Sequence, residues 1–271
     1  MRDFRDRVAV VTGAASGIGR ALAGALARRG AHLALVDVNE AGLAEVAGEV
    51  RALGRSASVH VADVASRPRM AALPDEVLRE HGRVSLLVNN AGVSVGGSFE
   101  EQSLEDLDWI VGINFWGVVH GCKFFLPHLR REAEAHIVNL SSLFGIVGVP
   151  SQSSYCATKF AVRGLSEALW AELRDAGIGV TSVHPGGIRT NIVRSSRAMD
   201  PETRRHTVEL FERFAMSPER AAERIVRGVE RNKLRILICR EAYLGDWLRR
   251  LAPTASQRLV AALVRRSGPL A

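Results

Sequence analysis

The stretch Val8-Ala9-Val10-Val11-Thr12-Gly13-Ala14-Ala15-Ser16-Gly17-Ile18-Gly19-Arg20 decides how the rest of the chain is read. Its first part is β-branched and almost wholly apolar, the character of a strand buried on both faces of a parallel sheet. A turn with glycines at 13, 17 and 19 follows, and then an amphipathic segment that closes on Arg28-Arg29-Gly30. Basic residues suit the last turn of a helix, and Gly suits the left-handed position just beyond it. A strand, a tight turn and a helix in that order open a parallel α/β unit.

The rhythm recurs. Gly54, Gly82 and Gly177 each end an amphipathic segment, and short apolar runs follow at 55–62, 83–89 and 178–184. The spacing predicts strands at 7–12, 32–37, 56–61, 84–89, 135–140, 178–183 and 235–239. Helices are predicted at 18–29, 40–53, 66–81, 103–130, 153–176 and, in pieces, 200–231, with Ser217-Pro218 capping the last piece. Alternating strands and helices imply parallel strands with right-handed crossovers, hence a doubly wound, Rossmann-type sheet in a three-layer α/β/α sandwich. No repeat or linker suggests a second domain. Residues 1–239 read as one dinucleotide-binding catalytic domain, and 240–271 as an amphipathic, basic C-terminal extension.

Composition sets the outer limits. With 271 residues and 47% apolar content the chain suits one sizeable core, and 24% charged residues argue against disorder. The formal net charge is +7, almost all of it from Arg, since Lys stands only at 123, 159 and 233. No basic stretch is interleaved with aromatics and no zinc-finger or RNA-binding signature appears, so nucleic acid is not an expected partner. No apolar run looks long enough to span a bilayer, and the charged start 1–7 lacks the core of a secretory signal. Cys122, Cys156 and Cys239 show no ligand spacing and the eight histidines form no cluster, so no metal is expected. Scattered cysteines suit a reducing, cytoplasmic location.

The glycine turn carries the first chemistry. Between a strand and a helix, such a turn lets the backbone approach a pyrophosphate, and the helix N-terminus aims free N–H groups at its charge. The second strand ends at Asp37, eighteen residues after Gly19. A carboxylate there can accept hydrogen bonds from an adenosine ribose and repels a 2′-phosphate. Position 16 is Ser rather than a basic residue, so NAD is favoured over NADP.

Together, these residues and others downstream resemble the classical short-chain dehydrogenase/reductase family. The pattern Thr12-Gly-x-x-x-Gly-x-Gly19 is joined by Asp63-Val64, Asn89-Asn90-Ala91-Gly92, Asn114, Ser142, Tyr155-x-x-x-Lys159 and Pro185-Gly186. Order and spacing match from about residue 5 to residue 239. The resemblance implies an oxidoreductase that moves a hydride between NAD(H) and the carbon of an alcohol or ketone. It implies cofactor contacts from Gly13, Ser16, Gly17, Ile18 and Gly19. Asp63 and Val64 would meet the adenine, and Asn90, Ala91 and Gly92 the inner ribose region. Pro185, Gly186, Ile188 and Thr190 would flank the nicotinamide, the last two holding its carboxamide. Asn89 is assigned a structural tie between strands. Tyr155 would act as acid or base, with Lys159 holding the nicotinamide ribose. Ser142, thirteen residues before the tyrosine, would bind the substrate oxygen, and Asn114 would hold a relay water through its backbone. Tyr155 and Lys159, four apart, share a helix face. A nearby ammonium and an oxidised nicotinamide would favour the phenolate over the usual pKa of about 10.

Two rival readings share these residues: an NAD(H)-binding sensor without turnover, and the same fold using NADP(H) on a ketide, sugar or acyl-thioester. The substrate walls are expected from 93–99, 143–152 and 187–216. Val93, Val95, Phe99, Leu143, Phe144, Ile146, Val147 and Val149 suggest a lipophilic secondary alcohol or ketone. Arg189, Arg194, Arg197, Arg204 and Arg205 read as a solvated face, with an anion site as the alternative. The segments 107–119 and 155–173 are apolar beyond one stripe, so a homodimer or homotetramer is expected. In the extension, Leu244, Trp247, Leu248 and Leu251 form one helical face, Pro253 breaks it, and Leu259, Val260, Leu263 and Val264 form another. Arginines accompany both. That pattern suits packing on the pocket or a neighbouring subunit, or peripheral contact with an anionic membrane.

Overall fold

The computed structural model describes residues 1–198 and 200–267, and only the backbone of 210, 211, 214 and 265–267. Position 199 in the third expected substrate wall, and residues 268–271 and the side chains of Arg265 and Arg266 in the extension, therefore lie outside the described residues. Seven strands run β1 (Val8–Thr12), β2 (His32–Asp37), β3 (Ala57–Val61), β4 (Leu86–Asn89), β5 (Ala135–Leu140), β6 (Ile178–Pro185) and β7 (Arg235–Ile238). The helices are α1 (Gly17–Ala27), α2 (Glu40–Ala52), α3 (Arg67–His81), α4 (Leu104–Val111), α5 (Gly117–Leu129), α6 (Ser153–Leu173), α7 (Pro201–Phe214), α8 (Pro218–Glu230), α9 (Arg240–Leu251) and α10 (Pro253–Ser267).

All strand pairs are parallel, in the order β3-β2-β1-β4-β5-β6-β7. Val11, Leu33, Leu35, Val88 and Val138 face Leu22, Val46 and Ile225 of α1, α2 and α8. Their neighbours Val10, Val36, Leu87, Ile137 and Val180 face Met70, Phe125 and Val162 of α3, α5 and α6. The five inner strands β2, β1, β4, β5 and β6 each feed two cores, which is why their apolar residues run on with little alternation, whereas the edge strand β3 leaves Val59 and Val61 exposed. The order reverses between β1 and β4, so a crevice opens at their carboxyl ends.

The predicted helix 103–130 is interrupted. Between α4 and α5 the chain takes a π turn, Gly112–Trp116, centred on fully buried Asn114. The side chain of Asn114 accepts from Val93 N at 2.8 Å and donates to Val93 O at 2.9 Å. This tertiary pairing holds the widened turn, which a helical hydrophobic pattern does not reveal. The run Leu104–Leu129 is also long and apolar enough to cross a membrane by length and composition, which corrects the expectation from sequence. Its apolarity has a source in the fold, since Ile110, Val118, Phe125 and Leu129 are buried. On the outer side Phe115, Trp116, His120 and Phe124 form a row of ring contacts, and Trp116 is 49% exposed. Phe160 on α6 is likewise exposed.

In the extension, α9 and α10 pack against the loop after β5. Gln257 donates to Gly148 O at 2.9 Å, and Val260 and Val264 pack with Val149, Cys156 and Phe144. Asp246 is buried between Arg235 at 2.7 Å and Arg250 at 3.0 Å. Only part of the expected apolar set faces inward: Leu244, Trp247, Leu251, Leu259 and Leu263 are exposed.

Candidate active site

The crevice at the carboxyl ends of the strands holds a cavity of about 490 Å³. Its walls contain Gly13, Ser16, Gly17, Ile18, Asp37, Asp63, Val64, Asn90, Ala91, Gly92, Ser142, Tyr155, Lys159, Pro185, Gly186, Ile188 and Thr190. Of the positions singled out in the sequence, Gly19 and Asn114 stand behind the wall rather than in it.

The glycine turn is built for close approach. A Cβ on Gly19 would lie 2.0 Å from Gly13 O, and one on Gly13, whose φ is +65°, would lie 2.8 Å from Ala91 Cα. Asn90 stitches this turn to β4, donating to Thr12 O at 2.8 Å and Gly13 O at 3.1 Å. Thr12 returns the tie, its hydroxyl accepting from Asn90 N and Ala91 N at 3.0 Å each. The side chain of Asn90 thus shapes the turn, while the residue itself lines the cavity. Helix α1 opens at Ser16 with no side-chain cap, whereas α2, α3, α4 and α8 are capped by Asn39, Ser66, Ser103 and Ser217. Uncapped N–H groups beside a glycine cradle fit a pyrophosphate.

Asp37 ends β2 at the same cavity. Its carboxylate accepts from Ala15 N at 3.0 Å and Asn39 N at 3.1 Å, which fixes its direction. Asn39 caps α2, so Asp37 is not the capping residue. Among the described lining residues the only cation is Lys159, far along the chain from Asp37.

At the other end Ser142, Tyr155 and Lys159 converge. Ser142 leaves β5 and accepts from Phe144 N at 3.1 Å, whereas Ser141 is buried and donates to Lys159 O at 2.7 Å. The first hydroxyl faces the cavity and the second braces α6. Lys159 is 4% exposed; its Nζ donates to Leu140 O at 2.9 Å and lies 5.6 Å from the Tyr155 ring centroid. Burial pushes the ammonium down to about 8. Burial pushes the Tyr155 phenol up to about 12, against the pull of its hydrogen bond with Ser142, whereas the expected phenolate rested on the ammonium and an oxidised nicotinamide together. Desolvation dominates at the phenol, and burial likewise disfavours the charge of the neighbouring amine. Asn89 does tie strands, donating to Asn139 Oδ1 at 2.8 Å.

A family model for short chain dehydrogenases matches residues 7–201, and so extends through the glycine turn, Ser142, Tyr155 and Lys159. The chain belongs to the short-chain dehydrogenase family. It is 44% identical, over the whole of both chains, to the Mycobacterium tuberculosis protein named as oxidoreductase SadH. A short-chain dehydrogenase/reductase from Burkholderia phymatum, solved with NAD, is 32% identical with a TM-score of 0.86, covering 95% of this chain and 97% of that one. One from Sphingobium yanoikuyae, solved with NADPH, is 28% identical with a TM-score of 0.78, covering 94% and 95%. A nicotinamide cofactor is common to these neighbours, and the seven-stranded parallel sheet is that of the family.

The substrate walls differ from expectation in detail. Val93, Leu143 and Phe144 line the cavity, but Val95, Ile146, Val147 and Val149 are buried behind it and Phe99 is exposed. The alternation of a strand exit does not persist through these loops, so apolarity alone could not separate wall from core. Ser94, Gln152, Ile192, Val193 and Thr207 line the cavity from within the three expected segments, and Ile113 lines it from outside them. Gln152 is 2% exposed and its Nε2 has no partner. The five arginines of 189–205 are absent from the wall. Arg197 lies 3.8 Å over the Trp109 ring and pairs with Asp106 at 3.4 Å, while Arg194 pairs with Glu212. Glu241, on the extension, accepts from Gly187 N at 3.1 Å and so steadies the loop beyond β6.

Proposed function

We propose that this enzyme transfers a hydride between NAD(H) and the carbinol or carbonyl carbon of an uncharged, lipophilic secondary alcohol or ketone. One observation carries the reading: a single cavity has the Asp37 carboxylate at one end and Ser142, Tyr155 and Lys159 at the other. A bound nicotinamide would supply the hydride donor or acceptor, held by the glycine turn, Asp37, Lys159 and the loop 185–190. Tyr155 as the phenol gives its proton to the carbonyl oxygen during reduction; in oxidation it must first lose that proton, and the phenolate, favoured by a charged Lys159 and a bound oxidised nicotinamide, then takes the hydroxyl proton. Ser142 holds that oxygen beside the phenol. Lys159 supports the charge that develops on Tyr155 and exchanges protons with solvent through the π turn at Asn114. Val93, Leu143, Phe144, Ile192 and Val193 favour an apolar substrate body.

The test is a panel of secondary alcohols and ketones followed at the reduced-nicotinamide absorbance, with NAD(H) and NADP(H) in parallel. NAD(H) should give the higher kcat/KM. On the best substrate Tyr155→Phe should lower turnover about 10²–10⁴-fold while NADH fluorescence titration shows binding retained. Preference for NADPH refutes the cofactor assignment, and near-normal turnover of Tyr155→Phe refutes the catalytic one.

A further inference from the structure

The inner faces of α9 and α10 are accounted for by the loop they cover; the outer face is not. Tyr243, Leu244, Trp247 and Leu251 on α9 and Leu259 on α10 are 47% to 70% exposed. Leu244, Trp247 and Leu251 recur at three and four residues and form one stripe along α9. Scattered exposed leucines are ordinary, but a stripe that includes a tryptophan and a tyrosine calls for an occupant.

Charge identifies it. Between residues 240 and 264 the acids are Glu241 and Asp246 alone, against Arg240, Arg249, Arg250 and Arg258. Both acids are already engaged inward, Glu241 with Gly187 N and Asp246 with Arg235 and Arg250. The outer face therefore offers apolar side chains, two amphipathic aromatics and the exposed guanidinium groups of Arg240 and Arg258, while Arg250 is paired with Asp246 and Arg249 donates to Pro253 O. A symmetric contact with a second copy would set this patch against itself, arginine facing arginine with no acid to answer.

We infer that the outer face of α9 and α10 docks on an anionic phospholipid bilayer. Tyr243 and Trp247 suit the interface, where an apolar ring and a polar tip are both satisfied. Arginines can lay their stems along the apolar layer and keep their charge at the headgroups. At 1.5 Å per residue α9 is about 18 Å long and α10 about 22 Å, the shape of helices lying in the interface rather than spanning it. The same helices hold Leu143 and Phe144, which line the catalytic cavity, so docking sets that wall next to the lipid.

The experiment is sedimentation of the full chain with vesicles of phosphatidylcholine alone and of an equal mixture with phosphatidylglycerol. The chain should pellet with the anionic vesicles only, and added salt should release it. Arg240→Gln with Arg258→Gln should weaken partitioning about fivefold per arginine. The triple variant Leu244→Ser, Trp247→Ser, Leu251→Ser should lose binding more than tenfold, with unchanged sedimentation velocity and unchanged turnover of a water-soluble substrate. Wild-type protein that stays in the supernatant overturns the proposal, as does a triple variant that binds undiminished. A triple variant that falls to a smaller assembly also overturns it, since the occupant is then a second copy.

Discussion

Replacing Lys159 by Met should make the cofactor-free protein more stable at pH 7 while abolishing turnover. The amine is 4% exposed and burial has pushed it from the ordinary 10.5 down to about 8. At about 1.4 kcal/mol per pH unit, holding it charged in the fold costs about 3 kcal/mol. A folded pKa below the unfolded one means that the unfolded chain binds the proton more strongly. The penalty is therefore complete below about pH 8, fades as pH rises, and is gone above about 10.5. Met fills a similar volume without charge but forfeits the hydrogen bond to Leu140 O, worth about 1 kcal/mol. The net gain at pH 7 is about 2 kcal/mol, and linkage narrows the gap by about 2 kcal/mol by pH 9.5. That pH lies below the range in which Tyr155, held up at about 12, begins to weaken the fold. Urea unfolding of both proteins from pH 7 to 9.5, at one protein concentration and without nucleotide, reads the effect. A destabilised variant at pH 7, or a gap that does not change with pH, refutes the reasoning.

Asp37→Ala should lower kcat/KM with NAD about 10- to 100-fold, the worth of charge-assisted hydrogen bonds at about 1.5–3 kcal/mol, and should relax the rejection of NADP. A ratio of kcat/KM values unchanged from wild type excludes Asp37 as the discriminating group. Phe160→Glu, at an exposed apolar position of α6, should shift a dimer or tetramer toward monomer in light scattering. A wild type already monomeric at micromolar concentration removes the basis of that expectation.

The sheet was legible because its inner strands are sandwiched between two helical layers and so carry apolar residues on both faces. The crevice was legible where the chain needs special backbone, as at Gly13 and Gly19, or ends a strand in a charge, as at Asp37. What escaped depends on tertiary pairing. The π turn rests on Asn114 bonding to Val93, twenty-one residues away, and leaves no local mark. Which of Val93, Val95, Val147 and Val149 meets the substrate is set by loop paths that apolarity does not encode. The upward push on the Tyr155 phenol was not legible because a charge partner is visible as a residue letter and burial is not. Glu241 was missed for a similar reason: its partner is the backbone N–H of Gly187, fifty-four residues earlier.

Several departures from local rule in this chain lie around the crevice. Away from the crevice, α2, α3, α4 and α8 each begin with a side-chain cap, and α3 ends on Gly82 in the left-handed conformation. Around the crevice, α1 starts uncapped, a helix widens into a π turn, an ammonium is buried, a phenol is held against ionisation and Gln152 keeps an unpartnered amide. Each of these costs stability. An uncapped helix start is relieved by a bound anion, and a buried ammonium by hydroxyl acceptors such as those of a ribose. A nucleotide should therefore stabilise this protein by more than its contact area suggests, and most of all below pH 8, where Lys159 is charged.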